Sequence, residues 1–318
     1  MRKGVFLDLA SLAEHDLDLD PLRSSLPEWR MFPATEAAQR VERIGDAEVV
    51  VVNKVVLDET VLSGAPYLKL VCITATGTNN VDLEAAARLG IVVSNVTAYA
   101  TDSVAQHVMA VMLAHHTRLL EYDAAVRRGD WSRSPQFCLL DYPVRELRGM
   151  TLGIVGFGEL GRGVARLAQA FGMRVLVAQR PGGEPREGRI ELDALLPQVD
   201  VLSLHVPLAA NTQNLIDDRR LRLMQPHALL INTSRGAVVD NLAVAAALKA
   251  GEIGGAALDV LDVEPPPLEH PLLADDVPNL ILTPHTAWAG RGARQNVVDQ
   301  TLANIRGFID GNPQNRVA

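Results

Sequence analysis

Short apolar runs of three to six residues recur along the chain, separated by stretches in which apolar positions return every three or four residues. In the first hundred residues the runs at 5–7, Val49–Val52, Leu70–Ile73 and 91–93 are too short for buried helices. They suit strands covered on both faces. Helical spacing fills the intervals 37–44 and 83–89, punctuated by Pro and Gly. Residues 101–120 predict one long helix whose small and apolar residues leave little polar face, so burial on several sides is expected. Its His107, His115 and His116 read as packing or surface positions. Residues 122–148 carry Trp131, Phe137 and Tyr142 in an irregular polar context, either a subunit contact or an arm wrapping its own domain.

Strand runs return at 152–155, 175–177, 199–204, 228–231, 256–258 and Leu280–Leu282, with helices expected at 214–224 and Asn241–Ala250. A last helix, 294–309, is expected to return to the N-terminal unit. Strand–helix alternation of this kind predicts an α/β fold with doubly wound parallel sheets. A length of 318 residues suits two domains, and an apolar content of 48% supplies their cores.

Charge and cysteine usage narrow the partners. The net charge of −8 disfavours nucleic acid or an anionic membrane surface. Cys72 and Cys138 each sit in an apolar neighbourhood, as free thiols in a reducing compartment do, and no Cys/His spacing suggests a metal. No run reaches membrane-spanning length and residues 1–12 lack a leader-like apolar core, so a cytoplasmic protein is expected.

The most specific chemistry lies at 151–180. A short apolar strand leads into Gly156, Gly158 and Gly161 in G-x-G-x-x-G spacing, then a helical pattern, then a second strand. In that setting the motif predicts a dinucleotide site. Gly156 permits the tight turn, Gly158 lets backbone approach a pyrophosphate, and Gly161 lets helix and strand pack closely. The anion would sit on free N–H groups at the positive end of the helix. His205, Val206 and Pro207 end a later strand where the cofactor crevice is expected. Among loops at strand ends, Asn53 and Lys54, and Thr76 and Gly77 in the segment 74–80, are candidate substrate contacts. The latter pair could offer backbone N–H groups to a carboxylate.

Three ionisable residues follow strands of the second half: Arg235, Glu264 and His285. Hydride transfer to a keto acid needs a cation for the carboxylate and a proton donor for the nascent alkoxide. Arg235 offers a planar fork for the first, and His285 suits the second because an imidazole can both give and take a proton. Glu264 would fix the imidazole's tautomer and favour its charged form.

With these residues in place, the chain resembles the D-isomer-specific 2-hydroxyacid dehydrogenases over nearly its whole length. The resemblance is carried by ATGTNNVD (75–82), SVAQH (103–107), the glycine motif, LHVPL (204–208), INTSRGAVVD (231–240), ALDVLDVEP (257–265) and TPHTAWA (283–289). Among subfamilies it is most similar to glycerate dehydrogenases, also called hydroxypyruvate reductases, through ATGTNN, FCLLDYPVREL (137–147) and HTAWA. The resemblance implies two Rossmann-like lobes with the active site in the interlobe cleft. Residues 1–99 with 286–318 would form the substrate-binding domain, and 100–285 the dinucleotide-binding domain. It further implies reduction of a small 2-keto acid such as hydroxypyruvate or glyoxylate, and a homodimer.

By the same resemblance Arg235 anchors substrate, Glu264 partners the histidine, and His285 is the acid/base. Thr76 and Gly77 offer amides to substrate, and Glu159 and Leu160 meet the pyrophosphate through backbone. Thr233 and Asp259 face the nicotinamide side, and Trp288 shapes the substrate pocket. One position departs from the pattern. Where NAD-preferring members carry an acidic residue after the second strand, this chain has Gln179 followed by Arg180. That removes a charge that would repel a 2′-phosphate and adds a guanidinium that could bind one, so NADP(H) is favoured over NAD(H), while Gln179 could still hydrogen-bond a ribose. Two other readings share these motifs: a nucleotide-sensing corepressor-like protein, and a same-fold dehydrogenase taking hydride from formate or phosphite.

Overall fold

The structure is a computed structural model describing all 318 residues, Met1–Ala318. The chain divides into two compact units, Met1–Ala100 with Ala289–Ala318, and Thr101–Trp288.

The first unit holds five parallel strands: β1 (Lys3–Phe6), β2 (Glu28–Met31), β3 (Val49–Val52), β4 (Leu70–Ile73) and β5 (Val92–Ser94), in the order β2-β1-β3-β4-β5. Strand β3, four consecutive valines, is buried at every position, as a central strand with both faces covered requires. Strand β2, EWRM, has no apolar run and stood outside the sequence expectation. It lies at the sheet edge, where one side is left to solvent and polar residues are tolerated. The final helix begins at Arg291 and runs to Ile309, packing on β4. The tail then returns beside β5, where Val317 N–H donates to Val93 O at 2.8 Å.

The second unit holds β6 (Thr151–Val155), β7 (Arg174–Val177), β8 (Val201–Leu204), β9 (Leu229–Asn232), β10 (Gly255–Leu258) and β11 (Leu280–Leu282), all parallel, in the order β11-β10-β9-β8-β6-β7. The order reverses at β6, so the doubly wound arrangement places a crevice beyond the carboxyl ends of β6 and β8. Helices α1 (Thr101–Thr117), α2 (Leu119–Arg127), α3 (Glu159–Ala170) and α4 (Asn241–Ala250) belong to this unit.

Three sequence expectations are corrected here. The helix predicted to 120 stops at Thr117, because Arg118 turns left-handed (φ +54°) while its guanidinium reaches Glu121 and Asn279. The residues after it are less irregular than expected, since α2 covers Leu119–Arg127 and a further turn covers Asp130–Arg133. The helix predicted over 214–224 shrinks to Asp218–Leu221. Asn214 and Ile216 donate their N–H groups to the carbonyls of Ala237 and Val238, so the start of that segment pairs with the turn Gly236–Val238 instead of coiling.

Candidate functional site

At the carboxyl end of β6 the glycine motif turns into α3. Gly156 sits at φ +93°, and a Cβ there would lie 2.3 Å from the His205 carbonyl oxygen. That contact brings the ends of β6 and β8 together, which only glycine allows. A Cβ on Gly161 would lie 2.2 Å from the Gly156 carbonyl oxygen, so this glycine fixes how closely helix and strand approach. Gly158 differs from both. Its backbone is extended and a Cβ there would meet nothing within 4 Å. Nothing inside the protein demands a glycine at that position. The first helical N–H bond back to this loop comes from Arg162, onto the Gly158 carbonyl, which leaves the N–H groups of the first turn pointing outward.

Beyond β9, β10 and β11 lie the loops that carry the three ionisable residues. Registers pair Asn232 with Leu258 and Leu258 with Leu282, so their following loops leave the sheet side by side. Asn232, fully buried, shapes the first loop: its Oδ1 accepts from the N–H and hydroxyl of Ser234, and its Nδ2 donates to Arg235 O. Arg235 is exposed, with Nη1 donating to Ser234 O at 2.7 Å. A Cβ on the next residue, Gly236, would fall 1.9 Å from the Leu261 carbonyl carbon, so the loop of Arg235 packs directly on the loop of Glu264. In turn Glu264 Oε1 accepts from Leu261 N–H at 2.9 Å, and its Oε2 lies 2.6 Å from His285 Nδ1. The carboxylate accepts, so Nδ1 carries a proton and Nε2 is the ring atom left for other chemistry. Both side chains remain about one-third exposed.

A family model described as "D-isomer specific 2-hydroxyacid dehydrogenase, NAD binding domain" matches residues 109–287. The chain is 43% identical over 318 residues to a glycerate dehydrogenase of Methylorubrum extorquens, covering 99% of each. It is 35% identical to a hydroxypyruvate reductase of Blautia hydrogenotrophica, again over 99% of each. The chain belongs to the D-isomer specific 2-hydroxyacid dehydrogenase family. It is also similar in structure to an NADPH-dependent glyoxylate/hydroxypyruvate reductase from Sinorhizobium meliloti in complex with NADP and malonate. That similarity has a TM-score of 0.79 and 28% identity over 100% of this chain and 97% of that one. As a member of the family the protein transfers a hydride between a nicotinamide cofactor and a small 2-hydroxy or 2-keto acid.

For this dehydrogenase the fit of a dinucleotide can be tested on the protein's own atoms. The open space at Gly158 and the free first-turn N–H groups of Glu159 and Leu160 suit a pyrophosphate. Further along the crevice, Thr233 Oγ1 and His205 Nδ1 are enclosed without a hydrogen-bond partner in the chain. Such groups are rare in folded proteins unless a ligand or water satisfies them. His205 holds Ser203 through Nε2 at 2.8 Å, and burial pushes its imidazole down to about 4, so it is neutral at working pH. Val206 is buried beside it and Pro207 follows. These residues fit the group.

Gln179 turns its amide onto its own loop. Its Nε2 donates to the carbonyls of Gly183 and Glu184, and its Oε1 accepts from Arg186 N–H at 3.2 Å. The buried amide braces the loop after β7. Arg180 beside it is exposed, and Arg189 closes the same loop with its guanidinium 4.7 Å above the Phe157 ring in the glycine motif.

Asp259 stands just beyond β10. It is buried, and both carboxylate oxygens receive donors from the segment that carries His285: Thr283 Oγ1 at 2.6 Å, Thr286 N–H at 2.8 Å and Ala287 N–H at 2.9 Å. Trp288 is half-buried immediately after that segment.

In the first unit, the loops at the ends of β3 and β4 carry the residues expected to face substrate. Asn53 is buried with its Nδ2 on Ser11 Oγ at 2.9 Å, which makes it a brace of its loop. Lys54 is exposed. Their loop is shaped by Asp8, a buried carboxylate that accepts from the N–H groups of Asn53, Lys54 and Val55. After β4, the Thr76 hydroxyl donates to Val96 O at 2.9 Å and its carbonyl accepts from Asn95 Nδ2. The N–H groups of Thr76 and Gly77 donate to no backbone carbonyl.

Proposed function

We propose that this dehydrogenase reduces hydroxypyruvate or glyoxylate to the D-2-hydroxy acid, with NADPH preferred over NADH. The observation that carries the reaction is the 2.6 Å contact between His285 Nδ1 and Glu264 Oε2, beside the loop of Arg235 at the ends of adjacent parallel strands. A bound nicotinamide supplies the hydride. The chain does the rest: Arg235 grips the substrate carboxylate with its planar fork, which a point charge could not imitate. His285, its Nδ1–H held by Glu264, keeps a proton on Nε2 for the C2 oxygen as negative charge develops there. Within the first unit, the N–H groups of Thr76 and Gly77 and the charge of Lys54 are further candidate substrate contacts, and Trp288 is one in the second. In this reading the first unit binds substrate and the second binds dinucleotide, and the protein works in the cytoplasm.

Support for NADPH comes from the loop after β7. No carboxylate stands at position 179 to repel a 2′-phosphate, Gln179 is occupied internally, and Arg180 is exposed beside it. Support for a homodimer comes from the arm after α1, where Trp131, Phe137, Leu140 and Val144 are all exposed, with Phe137 at 89%. Apolar side chains gathered this way on a surface mark an interaction face.

The testing experiment is a panel of 2-keto acids of increasing side-chain size, each assayed by absorbance with NADPH and with NADH. The reading expects hydroxypyruvate or glyoxylate to give the highest kcat/KM, with NADPH ahead by tenfold or more, about 1.4 kcal/mol. Turnover of bulky keto acids alone, or a tenfold advantage for NADH, would overturn it.

A further inference from the structure

His285 is held in an unusual state. Its φ is +55°, a left-handed conformation that side chains other than glycine rarely adopt, and its N–H donates to Asp259 O at 2.8 Å. The neighbours of His285 are gripped by the Asp259 carboxylate, as described above, so one residue just beyond β10 holds segment 283–287 at several points. A second grip comes from α1. Ser103 and His107 stand one turn apart on the same face of that helix. Ser103 Oγ donates to Ala287 O at 2.8 Å, and His107 Nε2 lies 3.3 Å from Thr283 Oγ1 and 3.9 Å from Asp259 Oδ1.

The direction of this chain of contacts follows from counting protons. An ionised carboxylate only accepts, so the single hydroxyl proton of Thr283 must point at Asp259 Oδ1. The Thr283 oxygen can then only accept from His107, so His107 Nε2 carries a proton. The run His107 to Thr283 to Asp259 is a one-way relay of donors ending on the carboxylate that fixes the loop of His285.

We propose that His107 is a positioning residue for the acid/base His285, acting through the Thr283 hydroxyl on the Asp259 clamp. The inference rests on the proposed role of His285 but concerns a different residue. It gives a task to the histidine of the SVAQH motif that its sequence context alone assigned to packing.

The test compares His107→Leu, which keeps volume and removes the donor, with His107→Gln, whose amide N–H can stand where Nε2–H stood. For His107→Leu we expect kcat to fall about tenfold or more, the scale on which small misplacements of a reacting group act. KM for the keto acid and the Kd of NADPH should stay within about twofold. His107→Gln should recover most of that loss. Thr283→Val should reproduce His107→Leu, and the double variant should be no slower than either, since both cut one chain. Amide hydrogen exchange at Thr286 and Ala287, measured on the unliganded protein, should speed up in His107→Leu and not in His107→Gln.

A His107→Gln variant as slow as His107→Leu would reduce the residue to packing and overturn the proposal. So would a His107→Leu variant that keeps wild-type kcat and exchange. The exchange readout separates the two readings. A parent protein inactive on every keto acid, yet with the expected exchange pattern, would defeat the proposed function while supporting the clamp. An active protein whose exchange ignores His107 would do the reverse.

Discussion

Two alanine substitutions three positions apart, at Gly158 and Gly161, should separate the dinucleotide reading from a merely structural glycine turn. Gly161→Ala drives a methyl to 2.2 Å from the Gly156 carbonyl oxygen, with the Ile154 side chain at 3.2 Å. Neither neighbour is a flexible side-chain tip that can swing away, so strand β6 and helix α3 must move apart. Overpacking of this kind costs about 1–3 kcal/mol, and the unliganded protein should lose several degrees in Tm. Gly158→Ala meets nothing within 4 Å and needs no unusual φ, so the unliganded fold should tolerate it. Its Tm should hold or rise slightly, because alanine restricts the unfolded chain by about 0.4–1 kcal/mol. The methyl would instead occupy the approach to the first-turn N–H groups, and the Kd for NADPH should weaken by about tenfold or more, roughly 1.4 kcal/mol. Thermal unfolding without ligand and cofactor fluorescence titration measure the two effects apart. A Gly158→Ala protein that binds NADPH as tightly as the parent would refute the placement of the pyrophosphate at this helix.

Arg180→Ala should raise KM for NADPH about tenfold and leave KM for NADH nearly unchanged, the loss expected of one charge-assisted contact to a phosphate; equal effects on both cofactors would remove Arg180 from discrimination. Phe137→Asp combined with Leu140→Asp should convert a dimer to a monomer in sedimentation velocity, and an unchanged sedimentation coefficient would place the interface elsewhere. Stability should fall with acid in a defined window. Burial holds His115, His116 and His205 down to about 4, against about 6.5 unfolded. Between those values the unfolded chain binds the extra protons, so the stability these neutral histidines contribute is complete above about 6.5 and is lost as pH falls towards 4. Urea unfolding at pH 7.5, 6 and 5 should show a falling midpoint, and constant midpoints would mean these rings are more open to water than their burial implies.

The fold was legible where burial on both faces left unbroken apolar runs, as in Val49–Val52 and Leu280–Leu282. It was illegible at β2, whose EWRM carries no such run because an edge strand keeps one side in solvent. The over-long helix at 214–224 had helical spacing, yet its first residues are claimed by pairing with 237–239, a long-range contact no local pattern records. Among the proposed site residues, Arg235, Glu264 and His285 stand out in the sequence because each follows a strand and each suits a task. The supporting groups do not. Asp8 and Asn232 act on backbone amides and carbonyls of loops whose shape exists only after folding. Position alone does not tell that Gln179 turns its amide onto its own loop, and the contacts between Asp259, Thr283 and His107 join a helix and loops distant in sequence.

Most direct for the central claim is a comparison of His285→Ala with the parent protein in single-turnover reduction of hydroxypyruvate by saturating NADPH. The account expects the chemical step to slow by about 10²- to 10⁴-fold, the range for loss of a proton donor. NADPH affinity should change little, because His285 is assigned to substrate oxygen and not to the dinucleotide. A His285→Ala protein that turns over within a few-fold of the parent would contradict it.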